Sequence, residues 1–240
     1  MKKAFEILKW LMLVSVIVLL KSFTFKQQEQ VKCQQFDVLI TASEEHFLNT
    51  EMIHNLLKNK NLHPLGKAYK EIRIKKMEQG IINHAAVKTA NVYSDISGNM
   101  SVNITQRKPI ARVVAAKESY YMDEDGKYMP LSNQFTARAL VISGNIAAVD
   151  SQDLFQMAKY IYKNPFWKAQ VIQIHIEEDE SLTLIPRVGY HQIVFGKIIN
   201  VAEKFNNLKL FYEKGIAYRG WNSYSSINVK FKNQIVCTKK

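Results

Sequence analysis

A chain of 240 residues, 47% of them hydrophobic and with all three aromatic types present, has apolar material for one large domain or two modest ones, which excludes disorder over most of its length. Its net charge of +12 invites a nucleic-acid reading, but lysine and arginine are spread along the whole chain rather than gathered into an arm or stripe. Such a spread is the pattern of a solvated basic surface, suited to work beside anionic lipid and not to a nucleic-acid partner.

The first element is the apolar run from Trp10 to Leu20, WLMLVSVIVLL, diluted only by Ser15 and bracketed by Lys9 and Lys21. The strict run is short of the roughly 20 residues a spanning helix needs. Counting residues 7–25 closes the gap if both lysines snorkel toward headgroups. A cleaved signal peptide has an apolar core of similar length, but Lys21-Ser22-Phe23-Thr24-Phe25-Lys26 holds no small-x-small cleavage site. Nor is Gln30-Val31-Lys32 before Cys33 a lipoprotein processing site. The expectation is an uncleaved anchor over 7–25. Lys2, Lys3 and Lys9 keep the short head, 1–6, in the cytoplasm and put the rest of the chain outside.

A polar connector, Lys26 to Lys32, leads to a first strand at Phe36–Ile40. A helix follows, opening at Asn49 or Thr50, both good N-cap types, with Ile53, Leu56 and Leu57 on one face. A second helix places Ile74, Met77 and Ile81 at i, i+3 and i+7. Residues 90–96 and 100–105 then alternate around Ser97-Gly98-Asn99 as a hairpin. Strand, helix, helix, strand, strand makes a small α+β module.

After Val114 come shorter strands and turns. Tyr120–Met122 and Lys127–Met129 flank Asp123-Glu124-Asp125-Gly126 as a hairpin around an Asp-Gly turn. Strands are expected at 139–142, 171–176, 182–185, 192–195, 227–231 and 235–237. Helical spacing recurs at 153–162 (Leu154, Met157, Ala158 and Ile161) and at 199–213 (Val201, Phe205, Leu208 and Phe211). The second module therefore reads as mainly antiparallel sheet with flanking helices.

A search for chemistry finds none. The six histidines are scattered, with no His-x-His or His-Glu-x-x-His. There is no nucleophile elbow, P-loop or dinucleotide fingerprint. Cys33 and Cys237 form no Cys-x-x-Cys pair, and two cysteines make no disulfide framework. Asp123–Gly126 lacks the alternating ligands and closing Glu of a calcium loop, and Glu177-Glu178-Asp179-Glu180 reads as a solvated turn rather than a catalytic carboxylate pair. Asn103-Ile104-Thr105 matches a glycosylation sequon but falls in mid-strand. No catalytic residue, metal, cofactor or small-molecule substrate is expected.

Certain segments also carry a family resemblance. Gln106-Arg107-Lys108-Pro109-Ile110-Ala111-Arg112 resembles the stretch by which bacterial FtsQ/DivIB cell-division proteins leave their POTRA domain. Tyr121-Met122-Asp123, Asp125-Gly126 and Met129-Pro130-Leu131-Ser132 are similar to the start of that family's β domain, and Val141-Ile142-Ser143-Gly144 to the strand and turn that follow. Leu184–Gly189, Glu203-Lys204-Phe205, and Gly220-Trp221-Asn222 with Tyr224 and Ile227-Asn228 continue in order, the last resembling the Bacteroidetes form.

The resemblance implies a bitopic, non-catalytic divisome protein of the inner membrane. Its parts are a cytoplasmic tail (1–6), a span (7–25), a periplasmic POTRA domain (33–114) and a β domain (115–240). It implies a hub that brings FtsB-like and FtsL-like bitopic proteins to septal cell-wall synthesis. In the family, FtsB docks beside the last strands of the β domain, largely by β-augmentation. The matching segment is Ile227–Ile235, with partner-binding candidates Lys230, Phe231, Asn233, Gln234 and Ile235. The family's Asp-Leu-Arg-Tyr stands here as Asn228-Val229-Lys230-Phe231, losing the acid and the bidentate Arg fork, while Phe231 keeps an aromatic anchor. Ile227 and Val229 are read as core-facing. Two alternatives are a membrane-anchored POTRA adaptor of a secretion or envelope-assembly system, and an anchored cell-wall or lipid enzyme. A single POTRA without barrel strands argues against the first, and the empty motif search against the second.

Overall fold

The structure, a computed structural model, describes residues 9–19, 31–41 and 46–240. The expected tail (1–6), the flanks of the expected anchor and most of the connector lie outside the described residues. Within the anchor, 9–19 form a helix (α1) whose apolar side chains are exposed, Trp10, Met12 and Leu19 among them. No helix among the described residues is long and apolar enough to cross a membrane.

The chain divides into two compact units, Met1–Gln106 and Arg107–Lys240. The first holds β1 (Phe36–Ile40), α2 (Thr50–Asn59), α3 (Ile74–Ile82), β2 (Val87–Ser94) and β3 (Met100–Gln106). β3 is the central strand, parallel to β1 and antiparallel to β2. Its period-2 pattern aims Met100, Val102 and Ile104 into the core, where Ile53 and Leu57 of α2 and Met77 and Ile81 of α3 are also fully buried. Each such side chain contributes roughly 1.5–3 kcal/mol of transfer free energy.

Caps set the helix limits. The Asn49 side chain accepts from Met52 N (2.8 Å), as its residue type predicts. At the other end of α2, Asn61 takes a left-handed conformation, and Leu62 N donates to Leu57 O (2.8 Å) while Asn61 N donates to Lys58 O (2.9 Å). That is a Schellman termination, with Asn where Gly is usual. The hairpin strand β2 stops at Ser94, short of the expected Ile96, because Asp95 accepts from both the backbone and the side-chain nitrogen of Asn99 and closes the turn. Ile96 is left exposed at the tip.

The second unit holds β4 (Pro109–Val114), β5 (Ser119–Asp123), β6 (Tyr128–Pro130), β7 (Leu140–Gly144), α4 (Ser151–Lys163), α5 (Pro165–Gln170), β8 (Val171–Ile176), β9 (Leu182–Pro186), β10 (Gln192–Gly196), α6 (Val201–Phe211), a π-helical turn (Tyr212–Ile216), α7 (Ala217–Arg219), β11 (Tyr224–Asn228) and β12 (Val236–Lys239). They form one nine-stranded sheet in the order β12-β11-β10-β9-β8-β7-β4-β5-β6. The sequence boundary at Val114 and the structural division at Gln106–Arg107 differ by the length of β4. Pro109–Val114 pairs with β5 and β7, not with a strand of the first unit.

Antiparallel pairs predominate, but β4·β7, β7·β8 and β10·β11 are parallel. Parallel neighbours need a crossover: α4 and α5 supply it between β7 and β8 and α6 to α7 between β10 and β11, while the β5–β6 hairpin and the segment after it connect β4 to β7. The register aligns Val113, Ile142, Ile174, Leu184, Ile193 and Ile227 in one fully buried row across six strands. Leu154, Met157, Ile161, Trp167, Phe205 and Leu208 of the helices join the same core. The opposite face, with Arg112, Val141, Gln173 and Ile185, stays half-buried.

Helix α5 has no counterpart in the sequence reading, although Asn164-Pro165 announces it. The Asn164 side chain accepts from Phe166 N and Trp167 N (3.0 and 3.2 Å), and Pro165 occupies the first helical turn. Helix α6 starts at Val201 instead of Ile199 because Asn200 is left-handed. The acidic turn at Asp123 is structural, as expected. Buried Asp123 pairs with Arg107 (2.7 Å) and accepts from Asp125 N and Lys127 N, organising the hairpin around Gly126.

Candidate partner-binding edge

Strand β11 ends at Asn228, not at Phe231 as the alternation predicts. Val229 N still donates to Val194 O of β10 (3.0 Å), but the Asn228 side chain then accepts from Lys230 N (3.0 Å) and turns the chain out of the sheet. Ile227 and Val229 are buried, the core-facing pair expected. Lys230, Phe231, Asn233 and Gln234 are exposed in the connection to β12, with Asn233 left-handed at its tip. Phe231 leaves 49% of its surface in water, a large aromatic without an aromatic partner among the described residues.

β12 closes the sheet. It pairs with β11 from Tyr224↔Lys239 to Asn228↔Val236, reinforced by Ser226 Oγ donating to Thr238 Oγ1 (3.0 Å). Beyond it no strand follows among the described residues, so its outer edge presents unpaired backbone groups, and Val236 is 46% exposed. Lys232 and Lys239 flank this edge and make no ion pair among the described residues, whereas the Lys230 side chain lies over Gly196 of β10. Lysine on an edge resists indiscriminate strand pairing and favours an acidic incoming segment.

Asn233, Gln234 and Ile235 also form one wall of a groove of about 610 Å³, whose other wall is the end of α6 and the π-helical turn: Asn207, Leu210, Phe211, Lys214 and Gly215. Ile235 packs half-buried against the core. Gly215 permits this wall, because a Cβ there would stand 2.7 Å from the Phe211 ring. Thus all five predicted residues share one connection, and three of the five line one groove. Val236 and Thr238, on the edge strand itself, and Leu210, on the helix, are what sequence reasoning missed. Leu210, 49% exposed, lies out of phase with the apolar stripe of α6, which is the signal that could have found it.

Behind the groove, Tyr212 of the π-helical turn meets His191 Nε2 (2.9 Å) amid Trp167 and Trp221. Burial pushes the Tyr212 hydroxyl pKa up and the His191 pKa down, so both groups stay neutral. Burial likewise raises the Cys237 thiol. Cys33 and Cys237 are both free thiols.

One constellation elsewhere has the outline of a catalytic triad. On the half-buried sheet face Ser143 Oγ lies 3.1 Å from His175 Nδ1, and His175 Nε2 lies 3.8 Å from Glu177. However, Gln173 donates to the Ser143 oxygen (2.8 Å), and Thr183 donates to the Glu177 carboxylate (2.8 Å). Both His175 and Glu177 side chains are more than two-fifths exposed. The row is a cross-strand polar ladder.

The geometry defines a structural class: a two-unit α+β chain whose terminal strand has an open outer edge beside an exposed aromatic. Comparison with protein families gives this class a specific form: a model described as FtsQ/DivIB, C-terminal related, matches residues 108–238, and a POTRA-like domain model matches residues 31–105. The chain belongs to the FtsQ/DivIB family, and its role lies in cell division through interactions with other division proteins. No curated protein matches it.

Proposed function

We propose that the protein is a non-catalytic, single-span divisome scaffold whose β12 edge captures an extended segment of an FtsB-like partner, itself associated with an FtsL-like one. The observation that carries this reading is the free outer edge of β12 flanked by exposed Phe231. An added strand would satisfy the edge's backbone groups, Phe231 would anchor one of its side chains, and the lysines would select an acidic segment. Lys230, Asn233, Gln234 and Ile235 complete the contact. The apolar segment 7–25 anchors the chain in the inner membrane and keeps this surface near it, with the head cytoplasmic and the rest of the chain periplasmic. Recruitment of septal cell-wall synthesis partners follows from that placement.

Phe231→Ala is expected to weaken co-purification of FtsB- and FtsL-like proteins from detergent about tenfold, the loss of ~1.4 kcal/mol at an aromatic anchor. Capture at the wild-type level by the folded variant would remove the edge from the reading. A reporter fused after Lys240 that is active only in the cytoplasm would reverse the topology.

A further inference from the structure

A cavity in the first unit has an unbalanced lining. About 710 Å³ in volume, within the range of roughly 300–1,000 Å³ that small-molecule sites occupy, it is lined by Lys60, Lys67, Arg73 and Lys76 against a single acid, Glu71. We propose that this cavity binds a phosphate- or diphosphate-bearing ligand.

One face of α3 builds the cavity's long side. Lys76, Gln79, Gly80 and Asn83 follow at helical spacing, with Arg73 just ahead of them, while Met77 and Ile81 on the other face enter the core. The turn after α2 and the segment 67–72 build the remainder. Lys67 is held there by donating to Asn61 O (2.9 Å), and the left-handed Asn61 belongs to the same wall. Gly80 keeps the floor shallow in side chains. A Cβ at that position would come within 3.3 Å of Leu62 Cδ1 and 3.4 Å of Lys60 Cδ.

Lys60, Arg73 and Lys76 take part in no ion pair among the described residues. Cations gathered in one concavity repel one another, and an anion bound there relieves that repulsion. Several donors arrayed round a hollow match the many oxygens of a phosphate group better than one carboxylate, and Arg73 adds a bidentate fork. Three side-chain amides (Asn61, Gln79 and Asn83) supply neutral donors and acceptors for the esterified part of the ligand.

The test is titration calorimetry of the full chain in detergent with inorganic pyrophosphate. Saturable binding is expected, weakened at least tenfold by the double variant Arg73→Gln, Lys76→Gln. The matched control Lys70→Gln, Lys75→Gln removes equal charge from the same segment at exposed positions outside the cavity, and should stay within twofold of wild type. All four positions are exposed, so melting temperatures should not move. Phosphatidylglycerol added to the micelles distinguishes the sources: competition with pyrophosphate marks a lipid headgroup, and an unchanged isotherm marks a soluble phosphate ester. Absence of saturable pyrophosphate binding, or equal losses in the two double variants, would overturn the proposal.

Discussion

The two units solve the same problem with different amounts of long-range information. In the first, the sheet is three strands in the order β1-β3-β2, with one long-range parallel pair, β1 with β3. In the second, nine strands follow chain order with one break: β4 lies beside β7, and the hairpin β5–β6 is carried outward to the sheet's far end. Periodicity outlined the elements of both units, but neither the β1·β3 pair of the first nor the β4·β7, β7·β8 and β10·β11 pairs of the second, which join segments far apart in the chain. Each unit nevertheless has its own buried core, so each can be perturbed through its own residues.

The largest effect is expected where a parallel pairing leaves no room. Gly144 ends β7 with φ +93°, and a Cβ there would run into the backbone carbonyl of Ile176 at the end of β8. Gly144→Ala should cost about 3 kcal/mol or more by combining backbone strain with displacement of β8. Chemical denaturation should register this as an early transition of the second unit. A variant of wild-type stability would mean that the β7·β8 pairing tolerates a shift of register or spacing.

The corresponding lesion in the first unit is Met77→Ala, which empties a fully buried site beneath α3. A loss of about 2–5 kcal/mol is expected, measured by urea denaturation of the full chain with a probe placed in the first unit. Smaller again is Asn49→Ala, which removes the cap of α2 and should cost about 1 kcal/mol. If hydrogen exchange over the first turn of α2 were unchanged in that variant, tertiary packing alone would be holding the helix end.

The finest discrimination is by pH. Burial holds the His191 pKa below its ordinary value of 6.5 in the folded second unit, with Lys240 adding to the depression and a Trp221 backbone contact opposing it. The unfolded chain then binds the proton more readily. His191's contribution to stability is present above about pH 6.5 and is lost as pH falls from there through the depressed folded value. His191→Phe should flatten this part of the stability profile of the second unit. His63 and His84 are depressed by burial in the first unit, and their acid sensitivity should survive in the variant.

Much of the candidate edge was legible because its residues are contiguous. Lys230 to Ile235 could be identified from a run of sequence that resembles a family's docking segment. The groove opposite could not, because Leu210 stands off the apolar stripe of α6 and Gly215 reaches it through a π-helical turn, where the regular 3.6-residue period no longer applies. The end of β11 was also hidden. Alternation continues through Phe231, but the Asn228 side chain captures Lys230 N and breaks the strand first.

The sequence by itself determined the local elements: the caps Asn49, Asp150 and Asn164, the Asp-Gly hairpin, and the alternating faces of the strands. Those are contests among neighbours a few residues apart, and residue type decides them. Strand order, the three parallel pairs, the placement of β4 in the second sheet and the free flank of β12 were decided only in the tertiary structure. A period of two tells a strand which face is buried, but nothing about which strand will lie beside it. That choice belongs to the whole core, which aligns Val113 with Ile142, Ile174, Leu184, Ile193 and Ile227 and leaves β12 and β6 as the outer strands of the sheet among the described residues.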